Sequence, residues 1–276
     1  MNNRCPSEAA RQAGMILPAV LVFSAFFIIP FGVLLRVGAQ GAYGIAGYWL
    51  ALMNPEHLES LVATLVLSTV VTVATLCLGG VCGVFLGRNR FPGHGLMVSI
   101  LTLPLAFPGV VVGFMIIMLA GRQGLVSDIS LALHGGRIVF AYSAWGLFLG
   151  YLYFSIPRVL LTVMASAEIL DASLEEAARS LGAKPARVFL DVTLPALKPA
   201  LISAGALTFA TSMGAFGTAF TLATRINVLP MMIYTDFTLS TDLSSIAALS
   251  LLLGLISWVV LSLARSVAGS GVAAAG

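Results

Sequence analysis

The chain has 276 residues, of which 59% are hydrophobic and 9% charged, and its formal net charge is +3. Soluble domains carry about 25% charged residues, so this composition, with a mean hydropathy of +1.03, excludes a soluble protein and predicts a membrane protein. The small and scattered positive charge excludes nucleic acid as a partner and leaves membrane lipid as the surrounding medium.

Six apolar segments follow one another along the chain, and each exceeds the roughly 20 residues that a helix needs to cross the hydrocarbon. The first follows a polar start that carries Arg4 and Arg11. Its apolar run is longer than the core of a signal peptide, so we expect a retained helix. The pattern predicts an all-α membrane protein with six transmembrane helices in a single domain over 1–276. The predicted spans are 15–36, 60–87, 96–121, 140–164, 199–224 and 243–264.

The distribution of Lys and Arg predicts the orientation of these spans. With the N-terminus in the cytoplasm, the cytoplasmic side holds Arg4, Arg11, Arg88, Arg90, Arg158, Arg179, Lys184, Arg187, Lys198 and Arg265. The outer side holds Arg36, Arg122, Arg137 and Arg225. Because cytoplasmic loops carry the excess of basic residues, we expect both termini to be cytoplasmic.

A polar insert at 168–198 interrupts the apolar pattern between the fourth and fifth spans. Ser173 and Glu176 match a capping box, with Ser173 as the N-cap and Glu176 at the third helical position. We expect Gly182 to end this helix, because glycine adopts the left-handed conformation at least cost. The helical spacing i, i+3, i+4, i+7 predicts one apolar face, made by Leu174, Ala177, Ala178 and Leu181.

The rest of the insert predicts a second short helix. Glu175 and Arg179 have the spacing of an i, i+4 ion pair on the first helix. Pro185 suits the first turn of the second helix, and Leu194-Pro195 is expected to end it. The first helix has about nine residues and is too short to be stable alone in water. Two interpretations remain: a connector that lies on the bilayer or on its own bundle, or a helix that docks into a cleft of another protein.

The fifth predicted span is rich in small and hydroxyl-bearing residues. Such residues let helices approach closely and form interhelical hydrogen bonds, and they can also line a polar path. Both interpretations stay open from the residues alone. The candidate translocation path consists of Thr208, Thr211, Ser212, Gly214, Gly217 and Thr218.

No Asp, Glu, Lys or Arg lies at the centre of any predicted span. Ion-coupled carriers rely on such groups, so their absence argues against that class. An intramembrane hydrolase would need a nucleophile with a base, or a metal, and the three histidines have no ligand spacing. We therefore expect no catalytic residue, no metal site and no enzymatic activity in this chain.

The insert resembles the EAA loop of permease subunits of ATP-binding-cassette importers. Glu176-Ala177-Ala178 is followed by three residues, Gly182, nine residues and Val192-Thr193-Leu194-Pro195. The family pattern reads Glu-Ala-Ala, three residues, Gly, nine residues, Ile-x-Leu-Pro, so Val192 is the one departure. Further along the chain, three strings resemble the polyamine, iron(III), phosphonate and sulfate group of these permeases: Phe216-Gly217-Thr218, Val228-Leu229-Pro230 and Ile233-Tyr234.

The resemblance implies a type I importer permease that couples to a separate ATPase through the insert. The implied coupling residues are Glu175, Glu176, Ala177, Ala178, Arg179, Gly182, Leu194 and Pro195. The implied partners are an ATPase dimer, a second identical or homologous permease and an extracytoplasmic substrate-binding protein. The chain has no Gly-x-x-x-x-Gly-Lys-Ser/Thr string, so ATP and magnesium would be used by the ATPase, and we expect no cofactor on this chain.

The implied location is a cytoplasmic membrane of the bacterial type, and the implied cargo is a small polar solute. The candidates are a polyamine, a phosphonate, iron(III) and a sulfate-like oxyanion. Two alternatives from other classes are a regulatory membrane protein that borrows an ATPase without transporting, and an ion-coupled secondary carrier.

Overall fold

The computed structural model describes residues 8–41, 44–222, 226–239 and 242–268, and within these ranges it contains helices and no strand. Arg4 and Arg225, which the sequence patterns above include, lie outside the described residues. The helices in chain order are α1 (Glu8–Phe23), α2 (Ile29–Gly38), α3 (Ala46–Met53), α4 (Pro55–Arg88), α5 (His94–Thr102), α6 (Gly109–Ala120), α7 (Leu125–His134), α8 (Ala144–Glu168), α9 (Ala172–Ser180), α10 (Pro185–Val188), α11 (Leu194–Met213), α12 (Phe216–Leu222), α13 (Leu229–Leu239) and α14 (Leu243–Ala268). A 3₁₀ turn covers Leu103–Ala106, and π turns cover Ser24–Ile28 and Phe189–Thr193.

Six helical stretches in the described residues are long and apolar enough to cross a membrane, which confirms the six-span prediction. They run over Gly14–Gly38, Pro55–Arg88, Gly109–Leu133, Ala144–Glu168, Pro185–Met213 and Leu243–Ala268. The first, second, fourth and sixth overlap the predicted spans closely. The third and fifth differ from the prediction.

The third predicted span, 96–121, is not one helix. The chain forms α5 and the 3₁₀ turn, breaks at Phe107, and restarts as α6 after Pro108. Proline lacks an N–H donor and forces the preceding residue out of the helical conformation, and Phe107 is accordingly extended, with φ −97° and ψ 131°. The spanning stretch therefore begins at Gly109, and the shorter apolar helix His94–Ala106 precedes it.

The fifth predicted span, 199–224, is also displaced. The spanning helix runs over Pro185–Met213, stops at Gly214 and is followed by α12, and residues 223 and 224 lie outside the described ranges. Leu194-Pro195 does not end the second helix of the insert. In the π turn the Leu194 N–H donates to Phe189 O, one residue further back than in an α-helix, and such a wide turn accommodates the proline that follows.

The chain divides into two compact units. The smaller comprises Met1–Asn54 and Thr235–Leu252. Within it the Tyr48 hydroxyl donates to Leu35 O at 2.7 Å, and Ser244 Oγ donates to Val37 O at 3.2 Å. The larger comprises Pro55–Tyr234 and Leu253–Gly276 and contains all the predicted site residues. The single domain over 1–276 stays a prediction.

The larger unit is organised by the packing of α4 against α8. Gly79, Gly83 and Gly87 recur every four residues and so form one stripe along α4. A methyl group at Gly83 would come within 2.8 Å of Leu160 O, and one at Gly87 within 2.7 Å of Met164 O. The two backbones thus approach closely through a stripe of small residues, as in other membrane helix pairs. This packing brings the C-terminal end of α4 close to α9.

Candidate functional site

The helix α9 begins two residues earlier than the sequence pattern indicates. Asp171, in an extended conformation, is the N-cap, and its carboxylate accepts a hydrogen bond from the Ser173 N–H at 2.9 Å. The predicted N-cap, Ser173, lies inside the first turn, because Asp171 is equally well suited to cap a helix and stands first in the chain. The Ser173 N–H, and after it the Ser173 hydroxyl, lowers the pKa of Asp171. Glu176 is therefore not engaged in a capping box.

The end of α9 agrees with the sequence pattern. Gly182 has φ +83°, its N–H donates to Arg179 O at 2.9 Å, and the Ala183 N–H donates to Ala178 O at 3.1 Å. These two bonds form a Schellman motif, in which a left-handed residue follows the helix. The chain turns sharply at Gly182, and α10 begins with Pro185 in its first turn, as predicted.

The predicted apolar face of α9 is largely open to the surroundings. Leu174 is 57% exposed and Leu181 is 88% exposed. Glu176 and Ala177 are exposed as well, and Ala178 is half-buried. We call Leu174, Glu176, Ala177 and Leu181 the α9 surface. Among the described residues no side chain is hydrogen-bonded or ion-paired with Glu176, so its carboxylate is available to another molecule.

The other side of α9 is attached to the rest of the larger unit through Glu175. Its Oε1 accepts from Arg88 Nη2 at 2.7 Å and from Thr193 Oγ1 at 2.9 Å. Arg88 also donates to Leu170 O at 3.1 Å. The predicted pair with Arg179 is present, but longer, at 3.7 Å. The side chains of Arg88 and Glu175 are only 21% and 16% exposed, so this is a partly shielded, charge-assisted contact.

This contact joins three elements that are distant in sequence: α9, the end of α4 and the π turn before α11. The sequence patterns marked Arg88 only as an indicator of orientation and did not single out Thr193 for a contact. Leu194 and Pro195 lie in the first turn of α11 and are exposed. They belong to the N-terminal part of the fifth spanning stretch, Pro185–Met213, rather than to the α9 surface.

A cavity of about 360 Å³ lies within the larger unit. Three of the predicted path residues, Thr211, Gly217 and Thr218, line it. Thr208 and Ser212 are instead fully buried, and Gly214 is exposed at the break after α11. The cavity is lined by Pro104, Leu105, Phe107, Gly109, Val110, Phe154, Arg158, Thr211, Ala215, Gly217 and Thr218.

Arg158 is the residue of this cavity that the sequence patterns misplaced. They assigned it to the cytoplasmic side of the fourth span, but the span continues to Glu168, so Arg158 lies within it. By the helical rise, Arg158 is roughly 15 Å from the end of α8. Its Nη1 donates to Thr211 Oγ1 at 2.8 Å, and Thr211 Oγ1 donates in turn to Leu207 O at 2.8 Å. The expectation that no Asp, Glu, Lys or Arg lies at the centre of a span is therefore wrong for the fourth span, since Arg158 lies near the middle of Ala144–Glu168.

The cavity is closed on one side by a close contact between α6 and α12. Thr218 Oγ1 donates to Gly109 O at 3.0 Å. A methyl group at Gly217 would meet Val110 N at 3.1 Å. The N-terminal turn of α6, with Gly109 and Val110, thus lies beside the start of α12. Residues of these two helices, of α8 and α11, and of the turn Leu103–Ala106 line the cavity.

Comparison with known proteins gives a consistent result. The family described as "Binding-protein-dependent transport system inner membrane component" matches residues 75–269. A molybdenum transport system permease protein of Escherichia coli is 34% identical over 190 residues, which are 67% of this chain and 82% of the relative. A sulfate transport system permease protein of Synechococcus elongatus is 31% identical over 266 residues, which are 93% and 89% of the two chains.

The fold is similar to that of a chain in the crystal structure of a bacterial alginate ABC transporter in complex with alginate pentasaccharide-bound periplasmic protein. The TM-score is 0.81 over 94% of this chain and 96% of that chain, at 15% identity. At this identity the likeness concerns the fold alone, and it agrees with the all-α, type I importer-like architecture.

Proposed function

Because the chain belongs to the family of binding-protein-dependent transport system inner membrane components, we propose that its α9 surface is the joint through which a separate ATPase drives import. The chain is a multi-pass membrane permease. One observation carries the proposal: α9 exposes an apolar face while its other side is fastened by Glu175 to Arg88. A short helix held in this way is suited to docking as a rigid body.

The chemistry of the α9 surface fits a groove in a soluble protein. Burying a leucine side chain fully contributes about 1.5–3 kcal/mol, and both Leu174 and Leu181 are available for this. Ala177 permits close approach of the groove wall. Glu176 would pair with a basic residue of the groove, where partial shielding makes the pair worth more than the 0–1 kcal/mol of an exposed ion pair.

The contacts of Glu175 supply a route from the groove to the membrane helices. When two ATPase subunits close on ATP, α9 would move with its groove. Arg88 would then carry that motion to α4, and Thr193 would carry it to the helix that continues as α11. Membrane helices with two alternative packings respond to such a bias by a shift in population between inward-facing and outward-facing states.

The partners and the orientation follow from this mechanism. The α9 surface has to face the cytoplasm, which agrees with cytoplasmic termini and with the excess of basic residues on that side. We propose two ATPase subunits that bind ATP and magnesium, a second permease subunit and an extracytoplasmic substrate-binding protein. In this assembly the present chain binds no cofactor and has no catalytic residue. The membrane is a cytoplasmic membrane of the bacterial type.

We propose a small oxyanion as the cargo. Relatives of this chain are named for molybdenum and sulfate transport, and molybdenum(VI) in neutral water is itself an oxyanion. The half-buried guanidinium of Arg158 supports the same class, since it attracts anions and repels a polyamine or iron(III) in a medium of low dielectric constant. Of the four candidates, the sulfate-like oxyanion therefore agrees best with the cavity.

The test is uptake of radiolabelled sulfate and molybdate into proteoliposomes that contain this chain with its ATPase and binding protein. We expect uptake of at least one of these anions to require ATP on the side of the membrane where the ATPase is bound. Uptake should stop when the ATPase is omitted. Uptake that persists without the ATPase would identify an ion-coupled carrier. ATPase binding without any uptake would favour the regulatory alternative.

A further inference from the structure

The guanidinium of Arg158 is a charge inside a spanning helix without an acidic partner. It is half-buried in α8, and among the described residues no carboxylate lies within ion-pair distance of it. Charged groups at membrane depth are costly and are retained where they serve a function. A charge in such a place is stabilised when an opposite charge arrives beside it.

The hydrogen bonds of Arg158 leave most of its donors free for another molecule. A guanidinium carries five N–H donors in a planar fork that matches the oxygens of carboxylate, phosphate and similar anions. Within the described part of the chain, Arg158 makes one side-chain hydrogen bond, from Nη1 to Thr211 Oγ1 at 2.8 Å. Because Thr211 Oγ1 donates its own proton to Leu207 O, the threonine orients the guanidinium and does not neutralise it.

The cavity beside Arg158 has the size and the wall chemistry of a small anion site. Its volume of about 360 Å³ is roughly the space of a dozen water molecules at about 30 Å³ each, ample for a tetrahedral oxyanion with part of its hydration. Phe107, Phe154 and Leu105 contribute apolar walls, which strengthen a charge–charge interaction by lowering the local dielectric constant. Among the described residues that line the cavity, Arg158 carries the only charge.

From this arrangement we infer that Arg158, oriented by Thr211, is the anion-binding residue of a transient substrate site inside the permease. The inference rests on the proposed function in one respect, that the cavity belongs to the translocation path. The ligand class is a small tetrahedral oxyanion, held by a forked pair of guanidinium hydrogen bonds. The site is distinct from that of any external binding protein, because it is made of residues of this chain alone.

A purely structural role for Arg158 is the competing explanation, in which its bond to Thr211 only ties α8 to α11. That role predicts no effect of sulfate or molybdate on the guanidinium. The anion-site role predicts that these ions shield the guanidinium from a reagent. The two explanations can therefore be separated without any transport measurement.

The experiment is the modification of arginine by phenylglyoxal in the purified full-length chain in detergent, followed at Arg158 and Arg265 by peptide mass spectrometry. Arg265 is exposed near the end of α14 and serves as an internal control in the same sample. Sulfate, molybdate or spermidine is added at constant ionic strength set with sodium chloride. We expect sulfate or molybdate to slow modification of Arg158 about tenfold, in line with charge-assisted hydrogen bonding. Arg265 should be unaffected, and spermidine should protect neither residue.

Two variants test whether Thr211 orients the guanidinium of Arg158 for anion binding. Thr211→Val should raise the anion concentration needed for half-protection by roughly fivefold to tenfold, the loss of about one orienting hydrogen bond. Thr69→Val is the matched control, since Thr69 Oγ1 donates to Leu65 O of its own helix α4 and Thr69 does not line the cavity. It should leave protection unchanged. Equal protection at Arg265, equal protection by chloride, or absence of protection by both anions would overturn the inference.

Failure of the inference can be told apart from failure of the proposed function. In the assembled importer, Arg158→Gln should lower uptake at low substrate at least about tenfold while the ATPase still co-purifies. If wild-type uptake depends on ATP but Arg158 is not protected by anions, the inference falls and the proposed function stands. If Arg158 is protected but the ATPase does not bind α9, the site stands and the coupling proposal falls.

Discussion

At the scale of single residues, two adjacent carboxylates of α9 have opposite surroundings. Glu175 is 16% exposed and bonded to Arg88 and Thr193, whereas Glu176 is exposed and unpaired within the described residues. Neighbouring residues on a helix point about 100° apart, so one carboxylate faces the body of the permease and the other faces outward. Glu175 thus anchors α9 to α4, whereas recognition of the ATPase by Glu176 is part of the proposed mechanism.

Charge reversal at Glu176 tests whether this residue recognises the ATPase. We expect Glu176→Lys to insert and fold like the wild type, because the side chain is exposed and makes no hydrogen bond or ion pair within the described residues. Association with the ATPase and ATP-driven uptake should both fall about tenfold or more, since the pair in the groove becomes a repulsion. Co-purification of the ATPase and proteoliposome uptake measure the two effects.

Glu59→Lys is the matched control for this charge reversal. Glu59 is exposed on α4, far in sequence from the α9 surface, and the same change of charge there should leave ATPase binding intact. Normal uptake by the Glu176→Lys variant would contradict the groove mechanism.

Removal of the Glu175 carboxylate tests whether this residue anchors α9 to α4. Glu175→Gln should lower the free energy of unfolding by about 1.5–3 kcal/mol, because the charge-assisted bonds to Arg88 and Thr193 weaken in a partly buried place. Thermal unfolding in detergent measures this loss. The ATPase should still bind, but uptake per ATP hydrolysed should fall, since α9 is no longer fastened to α4.

The pair between Arg90 and Glu168 provides the comparison for Glu175. It has a similar N···O distance, 2.9 Å, but the side chains are 67% and 34% exposed. Arg90→Gln should therefore cost only about 0–1 kcal/mol. Equal losses in the two variants would show that shielding plays no part in anchoring α9.

At the scale of secondary-structure elements, the turn after α9 depends on one backbone conformation. Gly182 has φ +83°, and a β-branched residue adopts positive φ only with strain of about 1–2 kcal/mol. We expect Gly182→Val to distort the Schellman motif and to weaken ATPase association, measured by co-purification. Gly182→Asn should retain most of the association, because Asn tolerates the left-handed region. Equal binding by both variants would argue against a role for the turn.

The glycine stripe on α4 is the second feature at this scale. Gly83→Leu should destabilise the larger unit by about 1–3 kcal/mol or more, because a side chain there collides with the α8 backbone at Leu160. Gly80→Ala is the matched control. Its added methyl group would lie 3.6 Å from a Leu201 methyl group, an ordinary van der Waals distance. Thermal unfolding of the two variants should differ clearly, and similar melting temperatures would refute the close packing of α4 and α8.

At the scale of the whole molecule, the orientation prediction can be tested by chemical labelling. In a variant without the native cysteines, Ser180→Cys in α9 should react with a membrane-impermeant maleimide only in inside-out vesicles. Gly136→Cys, in the exposed turn after α7, should react only in right-side-out vesicles. The opposite pattern would place α9 outside and rule out a cytoplasmic ATPase as its partner.

Features that depend on local periodicity and on single-residue geometry can be predicted from the sequence alone. Six apolar segments, an amphipathic α9 and a glycine turn at Gly182 can all be recognised in consecutive residues, because hydrophobicity, helical spacing and positive φ are local properties. The EAA-like spacing belongs with these features, and it identified the family before any contact was known. The helix boundaries differ from the prediction: the N-cap of α9 is Asp171 and not Ser173, and the helix continues past Pro195 because a π turn precedes it.

Which residues contact one another depends on how the helices pack. Arg158 and Thr211 are 53 positions apart, and Arg88 and Glu175 are 87 positions apart, so no local pattern could pair them. The packing of α4 against α8, and of both against α11, brings these side chains together. The sequence pattern assigned Arg158 to the cytoplasmic side, but in the structure it is the charged residue that lines the cavity. The surroundings of a side chain depend on the helices packed around it and not on its neighbours in sequence.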